Sequence, residues 1–343
     1  MKPVSFWLLT ALALGFGLRL YGLARESLWL DEATSILLAQ SDIPTLIRAT
    51  AQDIHPPVYY LLLHFWVKLG ASEFIVRALS ACLGTLSIAV IFALGRCLFD
   101  EWVGVGSAWL LAVSPLHVWY SQETRMYVLV TLWTLAGSFW LWRALRAGGK
   151  RRWLAYVLCM ALGLYTHYHT VFILLFQNVF FAWYWIGRRE RGLLRTWVMA
   201  QAGILLLFAP WLPVLLNQIA QGGGGWVEVA IGNPAPRALI ETWIDYSLGT
   251  VRQWYPPWLR RIGYLLLAVA LLSPFVRIWL RRERREAGRA WLYLWLYWAL
   301  SLAAVWGVSQ VKPMYAGRYL LPFLPPYLIL LAAGCASLPQ RRR

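Results

Sequence analysis

Charge is scarce in this 343-residue sequence: Asp, Glu, Lys and Arg make up 14% of it, against about 25% in an average globular protein. With 60% of the residues hydrophobic, that scarcity excludes a soluble protein. Cysteine is scarcer still. Cys82, Cys97, Cys159 and Cys335 lie in or at the edge of apolar segments without CxxC or Cys/His spacing, which excludes a disulfide framework and a cysteine zinc site. No Walker loop and no GxGxxG occurs, so cytoplasmic nucleotide chemistry is not expected. The inverted internal repeat of many transporters is missing too. Acids are outnumbered, 15 against 32 basic residues for a formal net charge of +17. The basic residues fall in short clusters between apolar runs, which is the pattern of membrane topology and not of nucleic-acid binding.

What the sequence does have is apolar length and aromatic anchors. Its 23 Trp and 16% aromatic content suit helices that cross two bilayer interfaces repeatedly. A transmembrane helix needs about 20 mostly apolar residues. Segments near 4–23, 74–97, 104–120, 125–145, 153–169, 171–187, 196–216, 259–280, 290–309 and 319–338 meet or approach that length. The expected fold is therefore an all-α polytopic membrane protein of about ten spans, a single domain over 1–343 with no soluble C-terminal domain. The opening MKPVSFWLLTALALGFG has the charge and apolar run of a signal peptide but no small-x-small cleavage site, so it reads as an uncleaved first span. The stretch HPPVYYLLLHFWVKLG at 55–70 is too short to cross comfortably and reads as an interfacial or re-entrant helix. With both termini cytoplasmic, 20 of the 32 Lys and Arg fall inside, a clean positive-inside pattern. Two long loops, 24–73 and 217–258, and two short ones near 121–125 and 310–318 then lie outside, and the outer face is where chemistry is expected.

The ionisable residues of these loops are the candidates. In SLWLDEATSILLAQ, Asp31 and Glu32 precede a short amphipathic helix with Ala33, Ile36 and Leu37 on one face. Two readings fit: Asp31 caps that helix while Glu32 favours its positive end, or a carboxylate held just above the bilayer takes a proton from an acceptor hydroxyl. In DIHPPVYY, Pro56 and Pro57 force an extended entry into a helix with Asp53 and His55 at its mouth, either a rigid turn or part of a site. SPLHVWYSQETRMY sets His117, Gln122, Glu123 and Arg125 at one outer corner, where Glu123 and Arg125 either pair with each other or serve a site. His167 and His169 end span five, but an i, i+2 spacing does not share a helix face, so a metal pair is not expected from them. Lys312 and Arg318 run against the positive-inside trend and are what an anionic lipid phosphate needs, unless they only snorkel to headgroups. In PAPRALIETWIDYSLGT, a stripe of Leu239, Ile240, Trp243, Ile244, Ser247 and Leu248 predicts another surface-lying helix, with Gly222–Gly225 before it as a hinge.

Six pieces in order, LDEATS (30–35), HPPVYYLLLHFW (55–66), EFIVRALSACLGTLSIAVIFALGRCLF (73–99), SQETRMY (121–127), LGLYTHYHTVFILLFQ (162–177) and GRYLLPFLPP (317–326), carry a resemblance over nearly the whole chain. The sequence resembles the bacterial membrane glycosyltransferases related to protein O-mannosyltransferases, the GT-C class that uses polyprenyl-phosphate sugars. That resemblance implies many helices, surface helices in the first outer loop, and a catalytic Asp there: Asp31, with Glu32 as its neighbour. It further implies that His55, Glu123, Arg125 and Arg318 face the donor phosphate or sugar. Relatives often carry more spans and a soluble outer C-terminal domain.

The expected activity is inverting transfer of a hexose-type sugar from a polyprenyl-phosphate donor to an acceptor hydroxyl of a protein, glycolipid or envelope glycan, at the outer face of the cell membrane. Asp31 is the base, and Arg125, Lys312, Arg318 and His167 stabilise the leaving phosphate. The sequence assigns no certain cofactor, and a divalent cation held by Asp31 and Glu123 is conceivable. Alternatives are a lipid-linked sugar transporter or flippase, which would need polar residues deep within spans, and a polysaccharide polymerase or ligase.

Overall fold

The computed structural model describes residues 3–221, 232–249, 255–281 and 285–337, with backbone alone at 273–281, 285–286 and 337. Among the described residues all regular structure is helical. After α1 (Pro3–Leu20), the first long loop folds into three short helices, α2 (Leu30–Gln40), α3 (Ile43–Gln52) and α4 (Val58–Trp66). The amphipathic and HPP segments predicted α2 and α4. The intervening α3 starts where Asp42 accepts the Thr45 N–H at 2.8 Å with Pro44 in the first turn, a legible start signal. On α2 the buried residues are Glu32, Ser35, Ile36 and Ala39, while Leu37 is exposed, so the face expected from Ala33, Ile36 and Leu37 is only partly right.

The bundle is built on α5 (Glu73–Leu98), packed between α6 (Glu101–Ala112) and α8 (Tyr127–Ala147). Ser72 and Asp100 cap α5 and α6. The two helices touch through glycine: a Cβ on Gly104 would stand 2.8 Å from the Phe92 carbonyl oxygen, the kind of small-residue contact that lets backbones close up in a bilayer. α8 stops at Gly148 and Gly149, whose φ values of +57° and +93° suit glycine, and α9 (Lys150–Leu164) turns back. Then follow α10 (Thr170–Ile186), α11 (Arg191–Phe208), α12 (Leu212–Ala220), α13 (Arg237–Leu248), α14 (Pro257–Arg281), α15 (Arg285–Trp295), α16 (Ser301–Val308) and α17 (Leu324–Ser337). Every residue from Tyr319 to Gly334 is buried, so α17 runs through the bundle interior.

Among the described residues, six helical stretches, 3–20, 73–98, 127–147, 191–220, 287–308 and 317–336, are long and apolar enough to cross a membrane. The bent pair α6 and α7 (Pro115–Ser121) adds a seventh if it crosses as one. The multi-pass all-α architecture stands. The expected ten crossings also include α14, of 25 residues, and α9 and α10, of 15 and 17 residues, the last two below the usual length of about 20. α13 sits deeper than a surface helix: Tyr246 donates to the Leu320 carbonyl at 2.6 Å and is 2% exposed, while Ile240 of the expected apolar stripe is 49% exposed. The predicted Gly222–Gly225 hinge lies outside the described residues.

Read as one span, 104–120 breaks by 60° between α6 and α7. The cause is Pro115, which has no N–H for the Leu111 carbonyl four residues back. Arg19 of α1 takes its place. Fully buried, it donates to the carbonyls of Leu111 and Ala112 at 3.1 Å each and of Gly15 at 2.7 Å, to Ser121 Oγ at 3.2 Å, and contacts His117 Nδ1 at 2.9 Å. His117 is thus consumed inside the bundle and does not reach the outer corner. Gln122 turns the other way and donates to the Leu18, Arg19 and Tyr21 carbonyls that end α1. Arg19→Met is expected to cost about 1.5–3 kcal/mol, the worth of a charged hydrogen bond, read as a fall in Tm in detergent of several degrees that Arg19→Lys partly restores.

Candidate active site

Asp31 and Glu32 are successive residues of α2, and one residue turns a helix by about 100°. They therefore look in different directions. Glu32 points into the protein and is fully buried. Its Oε1 accepts from Arg77 Nε at 2.9 Å and from the Thr124 N–H at 2.8 Å. Its Oε2 accepts from Arg77 Nη2 at 2.6 Å and from the Trp29 N–H at 3.4 Å. The capping role considered for Asp31 thus falls to Glu32, which reaches back to the residue before α2. With both oxygens occupied in this way, Glu32 anchors the loop, and the geometry does not support the catalytic role expected beside Asp31.

Asp31 faces an open cavity of about 600 Å³ that also meets His55, Tyr60, Arg125, Arg318 and Tyr319. Its side chain is 33% exposed, and its Oδ2 accepts from Arg318 Nη1 at 3.1 Å and lies 3.9 Å from Arg125 Nη2. Arg125 is nearly buried. Its Nη1 donates to the Asp31 carbonyl at 3.3 Å, Ser35 Oγ at 3.1 Å and Tyr60 Oη at 3.5 Å, while its Nε is buried with no hydrogen-bond partner. Arg318 lies 5.9 Å from the Trp29 ring and 5.6 Å from the Tyr319 ring, so aromatic faces fix the cation as well as the carboxylate does. The pairing of Glu123 with Arg125 considered from the sequence does not form between their side chains; Arg125 pairs with Asp31.

His55 lines the same cavity, its Nδ1 3.2 Å from Asp53 Oδ2. Burial pushes its pKa below the usual histidine value. His167 stands behind it, with ring centres 5.8 Å from His55 and 4.9 Å from Tyr319, and does not line the cavity. It does meet His169, at 4.8 Å, because residues 165–169 form a turn in which helical spacing does not apply. Lys312 is half-buried and off the cavity. No cluster of three or more His, Cys, Asp or Glu is placed to hold a metal ion among the described residues.

Glu123 borders a neighbouring cavity of about 500 Å³ together with Trp29, Trp119 and Arg25. Trp119 Nε1 donates to its Oε1 at 2.8 Å, and its Oε2 is buried without a partner. Burial pushes this carboxyl up to about 7. Trp29 walls both cavities. Sequence reasoning left Arg77, Ser35 and Tyr60 without roles. Arg77 had a signal, a lone charge between Glu73 and Arg96 in an apolar helix, and Ser35 is the i+4 neighbour of Asp31. Tyr60 had none. Because the raised Glu123 carboxyl binds its proton more tightly folded than unfolded, its contribution to stability is full below about pH 4.3 and is lost as pH rises to about 7. The Tm of Glu123→Gln should therefore fall less between pH 5 and 8 than that of the native chain.

Comparison with known proteins bears on this geometry. Residues 54–216 match the family model of dolichyl-phosphate-mannose-protein mannosyltransferases, a segment that holds His55, Glu123, Arg125 and His167 but neither Asp31 nor Arg318. No curated protein sequence matches. In structure, the chain is similar to ArnT from Cupriavidus metallidurans at 14% identity and a TM-score of 0.65, covering 98% of this chain and 61% of that one. It thus spans about three fifths of the ArnT chain. It is also similar to the Archaeoglobus fulgidus oligosaccharyltransferase, at 14% identity and a TM-score of 0.61 over 95% of this chain and 48% of that one. With the S. cerevisiae protein O-mannosyltransferase Pmt1-Pmt2 complex the values are 17% and 0.52 over 64% and 34%. Over that matched segment, just under half of its length, the chain is similar to the dolichyl-phosphate-mannose-protein mannosyltransferases, and over most of its length it shares the fold of ArnT and of the archaeal oligosaccharyltransferase.

Proposed function

We propose that this chain is an inverting glycosyltransferase that moves a hexose-type sugar from a polyprenyl-phosphate donor to an acceptor hydroxyl of a protein, glycolipid or envelope glycan. We place its site on the outer face of the membrane, the end of the bundle that carries few basic clusters. One observation carries the reading: the Asp31 carboxylate on an open cavity with the Arg318 and Arg125 guanidiniums 3.1 and 3.9 Å from it. Supporting it, ArnT has been solved with undecaprenyl phosphate, the archaeal oligosaccharyltransferase with dolichol-phosphate and an inhibitory peptide, and Pmt1-Pmt2 with the sugar donor.

The acceptor oxygen attacks C1 of the sugar while Asp31 takes its proton. The bond between C1 and the phosphate oxygen breaks, and its electron pair leaves on polyprenyl phosphate. A phosphate monoester has a second pKa of about 6, so it departs without a general acid but needs its charge matched. Arg318 and Arg125 supply preorganised cations in a poorly hydrated wall. When the donor phosphate draws Arg318 toward itself, it also releases Asp31 to act as the base. His55, kept largely neutral by burial, suits sugar hydroxyls better than phosphate. Lys312 and His167 lie off the cavity and have no part in this scheme.

A divalent cation held between Asp31 and Glu123 does not suit these residues. Asp31 already faces two guanidiniums, and Glu123 opens on the adjoining cavity, protonated up to about pH 7. Turnover should persist in excess EDTA; a loss restored by added cation would return the metal to the mechanism.

The defining experiment supplies purified protein in nanodiscs with labelled polyprenyl-phosphate hexose and a panel of acceptors. Asp31→Asn should lower kcat by about 10²- to 10⁴-fold while donor binding persists, and Arg318→Gln should raise the donor KM by about tenfold or more, the worth of one charged hydrogen bond. Turnover unaltered by Asp31→Asn would remove Asp31 as base. Donor binding without transfer to any acceptor by the native chain would favour the transporter.

A further inference from the structure

The end of the bundle opposite Asp31 carries a second, differently built pair of cavities. From Arg125 to Arg146 the chain climbs α8 at about 1.5 Å per residue, or roughly 30 Å in all, the thickness of a hydrocarbon core. There two adjoining cavities share Leu145, Arg146 and Arg188. In the smaller one, the Tyr184 ring gathers two cations, with the Arg188 guanidinium 4.7 Å and that of Arg289 5.4 Å from its centre. The ring is itself fixed, since Tyr184 donates to the Leu145 carbonyl at 3.1 Å.

The larger cavity, of about 800 Å³, has two chemically distinct parts. Lys150, Arg188 and Arg195 stand at its rim, where α8, α9, α10 and α11 end or begin. Below the rim it continues between α9 and α11 along Leu154, Val157, Met199 and Ala200, and Leu154 and Met199 are 58% and 63% exposed. Glu190 is the single acid among the described residues lining either cavity, and it stands 3.7 Å from Arg188. A cationic rim above an apolar trough matches an amphiphile with an anionic head, and like charges gathered on one ring are relieved by such a head.

We infer that this is a binding site for an anionic phospholipid of the leaflet opposite the Asp31 cavity. Its phosphate sits among Lys150, Arg188, Arg195 and Arg289, and an acyl chain lies in the trough between α9 and α11. The trough is what selects a lipid over a free phosphate or a soluble polyanion, neither of which would use it. The site is separate from the chemistry at Asp31 and stands whether or not sugar transfer occurs there.

Native mass spectrometry of delipidated protein tests this, with phosphatidylglycerol and phosphatidylcholine of identical chains as probes and inorganic phosphate and a soluble acidic peptide as competitors. The native chain should hold phosphatidylglycerol at least about tenfold more tightly, with the preference shrinking as salt rises. Replacing both Arg188→Gln and Arg195→Gln should cost about 25-fold, roughly fivefold per guanidinium. Met199→Trp, which fills the trough from an exposed position, should weaken both lipids. An unchanged Tm without added lipid shows that each variant folds; if one does not, the native chain's salt dependence and its preference between the two lipids decide alone. Equal affinity for the two lipids, a preference that survives loss of both arginines, or full displacement by phosphate or peptide would overturn the site.

Discussion

The ion pair between Glu32 and Arg77, at 2.6 Å with both side chains nearly out of water, is the contact on which the rest of the site depends. Burying two charges costs several kcal/mol per ion unless every donor and acceptor is answered. Here each of the five guanidinium N–H groups of Arg77 has a place: two on Glu32, and the others on the Leu23, Glu26 and Ser27 carbonyls. Glu32 completes the set with the Thr124 N–H. One pair therefore ties the exit of α1, the start of α2, the head of α5 and the corner carrying Glu123 and Arg125. Asp31 keeps its place against two guanidiniums because its chain neighbour is held.

The same economy governs the broken helices. A bilayer offers no water to a carbonyl whose helical partner is missing, so every break near the site is answered from another segment. Arg19 serves the carbonyls that Pro115 leaves at the end of α6, Gln122 serves the last turn of α1, and Gln218 of α12 donates to the Thr50, Ala51 and Asp53 carbonyls at the end of α3. These cross-links keep the short helices of the first loop on the bundle, and so keep the cavity wall in register with Arg318, which arrives from near the other end of the chain.

The two ends of the bundle put their charges to different use. Around Asp31, cations meet a carboxylate or aromatic faces, and the cavity is polar on one wall and aromatic on another. At the far end, basic residues exceed acids and border an apolar trough. An amphiphilic donor suits the first arrangement and a membrane lipid the second.

Apolar run length, capping residues and proline positions made the helices legible in the sequence: α2, α4, α5, α8 and α13 all begin near the residues that announce them, and the clustering of Lys and Arg in one set of the connections between apolar runs is plain. Asp31 and Arg318 were legible as ionisable residues beside a membrane, where charge is costly and rarely idle. Which acid faces the cavity was not, because adjacent carboxylates differ only by a 100° turn of a helix whose orientation is set by packing. Nor was the fate of His117 and Gln122, which sit in the same short motif as Glu123 yet serve the bend of α6 and the end of α1. Sequence determined the elements and the stock of charged groups, since helix formation and burial follow from local pattern. The pairing of Asp31 with Arg318, 287 residues away, and of Glu32 with Arg77 was decided by the tertiary structure alone, because a partner for a charge is chosen by proximity in space.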